Sequence, residues 1–390
     1  MFIVSLFLCG FSSAIANRTL DPLTAEISRD LGVPVASVAL LSSILALTYA
    51  AGQPIIGPSG DHLGKSRVLK VAMWICFLST LATALAPGFP ALLAARGFTG
   101  FAAGGLVPIA MAMIGDHYPP QQRQVAIARF IMAPIIGQMA GALFAGSIEA
   151  LVGWRGVMHI CAAFIFIAAL VATFTLPTLK PASSGPHAVA AAKHNYVRIF
   201  SLPRSWVCFS SSFAFGALAF GVLPFIAPLL ELQENGGARE AGMIIAGFGG
   251  GAFLLALLLP LVLRLASRPI VMIAGSLVSA LSLLAYSQGP HWSLQLALLT
   301  AFGFGFFMQH NSIQAEVSEL APEARATAFA MHSFFFFLGH SIGPLVYGLQ
   351  IAAVGPGKTL IINALLIGLA GSAIAFYFKS YPMRRRQEMR

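Results

Sequence analysis

Apolar residues run along the chain in blocks of about 20 or more, separated by short polar or Pro/Gly-rich gaps. No block alternates apolar and polar positions over ten residues, so each is read as a helix and not as a barrel strand. The pattern predicts twelve helices, over 2–29, 35–57, 67–86, 90–115, 125–149, 156–177, 205–230, 241–264, 269–288, 292–315, 327–350 and 358–378. Helix breakers punctuate them, among them Gly32 with Pro34, Pro119 with Pro120, and Gly289 with Pro290. One segment differs in kind. From Thr178 to Arg204 there is no long apolar run, and Pro181, Ser183, Ser184, Gly185 and Pro186 precede a basic stretch. The chain is therefore expected to hold a six-helix bundle over 1–178, a linker over 179–204, and a second six-helix bundle over 205–390 that ends in a short basic tail.

Composition narrows the class. Hydrophobic residues make up 58 % of the chain and charged residues 9 %, against roughly 25 % charged in soluble domains. A soluble globule of this composition would expose large apolar patches, and disorder needs the opposite balance. What remains is an all-α membrane protein. The net charge of +10 does not point to nucleic acid, because the basic residues sit in the gaps between apolar runs. Of the 23 lysines and arginines, all but Arg18, Arg29, Arg96, Arg155, Arg239 and Lys358 fall on one side of the predicted spans. The positive-inside rule makes that side cytoplasmic and puts both termini there. Cys9, Cys76, Cys161 and Cys208 each lie inside an apolar run without CxxC spacing and read as buried thiols. No cleavable signal peptide is expected, since the apolar start lacks a basic lead. There is no GxxxxGK[ST] loop and no cluster with metal or nucleophile spacing, so no cofactor, no metal and no enzymatic activity is expected.

A shift of 202 residues aligns the chain with itself. Pro22 meets Pro224, Pro58 meets Pro260, and Pro120 meets Pro322. Arg123 meets Arg325, Ala126 meets Ala328, Ala128 meets Ala330, Gly137 meets Gly339, and Gly141 meets Gly343. Two like-oriented repeats suit alternating access to a site near the bilayer midplane.

The loop after the second helix reads Gly57-Pro-Ser-Gly-Asp61-His62-Leu-Gly64-Lys65-Ser-Arg67. It resembles the signature loop of the major facilitator superfamily, G-x-x-x-D-R-x-G-R-R, with His62 and Ser66 in place of basic residues. Arg96 before Gly100, Gly115-Asp116 before a basic loop, Gly137-x-x-x-Gly141 and Gly153-Trp154-Arg155 also resemble that family. Arg18-Thr-Leu-Asp21-Pro22-Leu is similar to its bacterial drug and sugar efflux branch. The resemblance implies two pseudo-symmetric six-helix bundles in the bacterial inner membrane, working as a monomer on a small-molecule substrate with protons. Proton-coupled efflux is the expected direction. The alternative is uptake of a polar metabolite or organic anion together with protons.

Charges inside a bilayer are costly and usually paired or functional. Arg18 and Asp21 lie three residues apart and share a helix face. Arg96 is expected to partner Asp21, or to hold an anion. The second half offers His310, Gln314, His332 and His340, with His340 at the repeat position of Gln138. Histidine titrates near physiological pH, so these residues are candidates for proton or substrate coupling. A cytoplasmic gate is expected from Gly57, Asp61, Gly64, Lys65, Arg67, Asp116 and Arg123, with a weaker counterpart around Glu319, Glu323 and Arg325. The loop after the eighth helix lacks the Gly-Asp pattern, so the latch is expected to be asymmetric. Gly137, Gly141, Gly339 and Gly343 form small-x-x-x-small pairs for close helix packing, and so could seal one face of the transporter. The Phe302–Phe307 and Phe334–Phe337 runs read mainly as packing residues.

Overall fold

In the computed structural model, residues 1–177, 195–321 and 324–381 are described. Thirteen helices among them carry the fold, because in lipid a backbone must satisfy its own polar groups. The first half holds α1 (Phe2–Arg18), α2 (Thr24–Leu31), α3 (Val35–Leu63), α4 (Lys65–Ala84), α5 (Phe89–His117) and α6 (Pro120–Thr175). The second half holds α7 (Pro203–Phe220), α8 (Ile226–Leu232), α9 (Ala238–Leu265), α10 (Arg268–Tyr286), α11 (Trp292–Leu320), α12 (Arg325–Val354) and α13 (Pro356–Ser380). Among the described residues, eleven stretches are long and apolar enough to cross a membrane. The longest, Val125–Thr175, has 51 residues and turns at Gly153, whose φ of 65° favours glycine. It is long enough for two crossings. The linker core, residues 178–194, lies outside the described residues.

The first span is not the continuous 2–29 helix that hydropathy predicts. α1 ends at Arg18, Asp21–Leu23 form a 3₁₀ turn, and α2 follows. Pro22 has no N–H to give the Arg18 carbonyl, so the ladder breaks there. The second half repeats the break 202 residues on, where α7 ends at Phe220, Leu223–Phe225 form a 3₁₀ turn, and α8 follows. The turn bonds match as well. Leu23 N–H donates to Leu20 O at 3.0 Å, and Phe225 N–H to Val222 O at 2.9 Å.

Glycine contacts carry the same register. A Cβ at Gly137 would lie 2.8 Å from Phe11 O, and one at Gly339 would strike Phe213 O. Gly141 sits against Ile15 O, and Gly343 against Ala217 O. These glycines therefore bring α6 onto α1 and α12 onto α7. Both contacts lie within a half.

The seams between halves are α6 with α9 and α3 with α12. Gly146 faces Ala238 and Gly242, while its repeat mate Gly348 has a Cβ position 3.5 Å from the Cβ of Ala36. Both contacts lie at the end of the molecule opposite the termini, here called the far end. Thr24 Oγ1 donates to Pro224 O there at 2.7 Å, and Arg29 Nη1 to Glu231 Oε2 at 2.6 Å. Nearer mid-depth, Tyr49 stacks on Phe337 with centroids 4.0 Å apart.

Two glycines separate packing within a half from packing between halves. Gly339→Ala is expected to lower the unfolding midpoint, with about 1–3 kcal/mol lost to overpacking. In Gly242→Ala the new Cβ meets Ala142 O at 2.5 Å, which should loosen the far-end seam instead. A cysteine at Thr24 would then react faster with an impermeant maleimide, against a low background because the four native cysteines are buried. Equal labelling with and without Gly242→Ala would contradict the assignment of the seam.

Candidate functional site

At mid-depth a cavity of about 170 Å³ lies between the halves. The first half lines it with Ser13, Asn17, Arg18, Tyr49 and Gln138, and the second with Phe220, Phe307, His310, Phe336 and Phe337. A larger apolar groove of about 240 Å³, between Ile56, Val71, Ile75 and Phe101, lies outside this centre and carries no cluster of polar groups.

The break at Pro22 aims Asp21 inward. Arg18 Nη1 donates to Asp21 Oδ2 at 2.9 Å, and Ser42 of α3 donates to Asp21 Oδ1 at 2.7 Å. Both partners of the pair are withdrawn from solvent, with side chains 5 % and 0 % exposed. Arg18 Nε reaches Gln138 Oε1 at 3.4 Å, and its guanidinium lies 4.5 Å from the centroid of Phe220, a cation–π contact between the halves. Phe220 occupies the repeat position of Arg18, so the two repeat mates meet face to face.

Arg96 makes no hydrogen bond to Asp21 among the described residues. Its Nη1 donates to Ala16 O at 2.7 Å and its Nη2 to Asn17 O at 3.5 Å. A guanidinium here favours the carbonyl end of α1, where the helix dipole is negative. The side chain is 0 % exposed, so Arg96 supports the helix break from behind and does not line the cavity.

The second half brings its histidines together. The rings of His310 and His332 are 5.1 Å apart, and Gln314 Nε2 lies 3.1 Å from His310 Nε2. Ser212 Oγ donates to Cys208 O at 2.8 Å and sits 2.6 Å from His332 Nδ1. His332 Nε2 is buried without a hydrogen-bond partner among the described residues. His340 packs 4.6 Å from Phe220 and has neither ring nitrogen bonded. No group of three metal-ligating side chains occurs among the described residues.

The following contacts of the gate candidates lie within a half. Lys65 Nζ pairs with Asp116 Oδ2 at 2.7 Å within the first half. Gly64 makes the turn between α3 and α4 at a φ of 94°. Arg123 donates to Tyr118 O at 3.5 Å, Arg325 to Ser318 O at 3.1 Å, and Arg67 borders the apolar groove. The side chains at Gly57 and Asp61, and all of Glu323, lie outside the described residues. The expected asymmetry is corrected in one respect. Arg268 pairs with Glu319 at 2.9 Å, spanning 51 residues as Lys65 and Asp116 do. Arg204 also pairs with Glu316, tying α7 to α11.

Sequence reasoning missed Phe220, Tyr49, Asn17 and Ser42. Phe220 was open to discovery, because the 202-residue shift maps it onto Arg18. Phe307, Phe336 and Phe337 wall the cavity, whereas Phe302 and Phe306 are buried in the core.

Arg96→Ala is expected to cost at least the ~2–5 kcal/mol of a large-to-small core change, read as a lower unfolding midpoint in detergent. Gln138→Ala, which removes one long bond at the cavity wall, should unfold close to the parent. Equal midpoints for Arg96→Ala and the parent would rule out a supporting role for Arg96.

The chain is similar to transporters over nearly its whole length. It is 24% identical over 366 residues to the uncharacterized MFS-type transporter YybF of Bacillus subtilis, covering 88% of this chain and 85% of the relative. It is 23% identical over 380 residues to the uncharacterized MFS-type transporter YfhI of the same organism, covering 95% and 92%. Among solved structures it resembles a bacterial homolog of the human lysosomal transporter Spinster, in an inward-facing and unoccupied conformation. That match has a TM-score of 0.83 at 18% identity and covers 100% of this chain and 98% of the other. The Major Facilitator Superfamily model matches residues 6–344 and again 209–389, and with a fold and a repeat of this kind the chain belongs to that superfamily.

Proposed function

We propose that the protein moves a small organic solute across the bacterial inner membrane by alternating access. Two six-helix bundles, 1–178 and 205–390 with a 179–204 linker, rock about the cavity, and the Arg18–Asp21 pair responds to protons. The cavity drawn from both halves, with a buried ion pair at its edge, carries this reading. The far end is held by repeat-related seams, so the proposed state opens toward the end that bears the termini. Positive residues assign that end to the cytoplasm. The protein works as a monomer, and Lys65–Asp116 with Arg268–Glu319 brace the cytoplasmic loop bases. Exposed pairs of this kind contribute only about 0–1 kcal/mol each, which suits an element that must exchange partners.

Two coupling schemes place different demands on Asp21. Export in exchange for protons requires a solute that competes with the proton for the carboxylate. Uptake with protons requires a solute that the proton helps to bind. The aromatic walls serve either scheme.

The test is flux in proteoliposomes under an imposed pH gradient, screened over a panel of solutes. Ala36→Cys with Gly348→Cys places two Cβ atoms about 3.5 Å apart across the halves, within disulfide reach. Oxidation should stop flux and a reductant should restore it; undiminished flux in the oxidised form would exclude alternating access at this seam. Asp21→Asn should abolish proton-driven flux in protein that still runs as a folded monomer by size exclusion. Unchanged driven flux in that variant removes Asp21 from the mechanism.

A further inference from the structure

The charge around the cavity does not balance. Among the described residues four charged side chains are buried, namely Arg18, Asp21, Arg96 and Glu316. Glu316 belongs to the other end of the second half, where Arg204 and Arg268 hold it. The remaining three share one neighbourhood, with two guanidinium groups and one carboxylate. The carbonyl end of α1 supplies only about half a negative charge. The repeat adds none, because the positions 202 residues after Arg18, Asp21 and Arg96 are Phe220, Leu223 and Leu298. Among the described residues Arg18 is the one charged group in the cavity wall, and the opposing wall is aromatic.

Arg18 is also incompletely used. Nη1 donates to Asp21 and Nε to Gln138, while Nη2 makes no hydrogen bond among the described residues.

We infer that the solute is a small amphiphilic carboxylate that binds at Arg18 as Asp21 takes up a proton, so that anion and proton cross together. The inference rests on the transport reading above. With Asp21 ionised, Arg18 is neutralised and an incoming anion meets a carboxylate. A proton on Asp21 removes that charge and releases Nη1, which with Nη2 forms the fork that takes a carboxylate in two parallel hydrogen bonds. Arg96, held by backbone carbonyls, keeps the neighbourhood positive throughout. The apolar body of the solute lies against Phe307, Phe336 and Phe337. A cation gains nothing here, because freeing Asp21 from Arg18 leaves the Arg18 guanidinium in the cavity wall with Arg96 behind it.

The groups that face the pair come from several elements. Arg96 is on α5, Ser42 on α3, Gln138 on α6, Phe220 on α7 and His340 on α12. α2, α8 and α9 bring charge nearer the far end, where Arg29 is tied to Glu26 and Glu231, and Asp30 to Arg155. Glu240 accepts from the Gly237 N–H, and Glu149, Glu234, Arg239 and Lys358 are further charges of that end. Asp21 is therefore the buried carboxylate beside the cavity that a proton can neutralise.

The test is thermal unfolding of the full chain in nanodiscs with matched probes, namely benzoate, benzylammonium and benzamide, and hexanoate, hexylammonium and hexanamide, between about pH 6 and pH 8. Only the carboxylates should raise the midpoint. Their apparent affinity should rise as pH falls, by at most about tenfold per pH unit for one linked proton. Arg18→Gln should lose the shift, and Arg18→Lys, which keeps the charge but not the fork, should weaken it. Asp21→Asn should keep the carboxylate shift and lose its dependence on pH. Stabilisation by ammonium or amide probes, by no carboxylate, or by carboxylates equally at every pH overturns the inference. Carboxylate binding with no flux in the proteoliposome assay would instead remove the transport reading and leave the binding site in place.

Discussion

The fold is organised around a guanidinium and a carboxylate taken out of water within one broken helix. Burial costs each ion several kcal/mol unless close partners replace its hydration. Arg18 and Asp21 supply one another, but that is insufficient. Ser42 from α3 occupies the second carboxylate oxygen, Gln138 from α6 takes the guanidinium Nε, and Phe220 from α7 covers its face. Four helices from both halves must therefore converge on one point. Asp21 lies in the 3₁₀ turn at Pro22, where α1 gives way to α2, which continues to the far-end seam.

What could be read from the sequence follows from what spacing controls. The 202-residue shift predicted matching prolines, and the structure breaks both helices at those prolines with matching turn bonds. The three-residue spacing of Arg18 and Asp21 predicted a shared face, and they pair. Local geometry fixes both results. Spacing says nothing about where a long side chain from another helix ends, so Arg96 was assigned to Asp21 when it bonds carbonyls of α1. The glycine pairs show the same limit. Small residues at i and i+4 announce a close approach but do not name the approaching helix, and the partner proved to lie within each half. The Arg268–Glu319 pair escaped notice because the loop signature that flags Lys65 and Asp116 is missing there, although the geometry is retained.

The repeat is symmetric in backbone and asymmetric in chemistry. Arg18 corresponds to Phe220, Asp21 to Leu223 and Gln138 to His340. The first half thus holds the ionic centre, and the second a neutral aromatic wall with histidines whose nitrogens are partly unsatisfied. Such a division avoids placing like charges on both sides of a narrow cavity. It also makes the contact between the halves a cation–π contact, which can separate without stranding an ion. On the proposed reading, when Phe220 withdraws, Arg18 still has Asp21 and Gln138.

Different interactions hold each half together and join one half to the other. Within each half, glycines let backbones touch, and a single added methyl meets a carbonyl. These contacts are rigid, because protein interiors have little spare volume. Between the halves the far end is joined by one buried hydroxyl–carbonyl bond, one exposed ion pair, and small-residue contacts at Gly146 and Gly348. Their polar terms are worth about 1 kcal/mol apiece, and on the proposed reading a solute shifts the balance between two arrangements by its difference in affinity for them. On the proposed reading the ionic centre has the larger effect. It sits beside both the cavity and the far-end turn, so a change in its charge alters the contact that holds Phe220 against the first half.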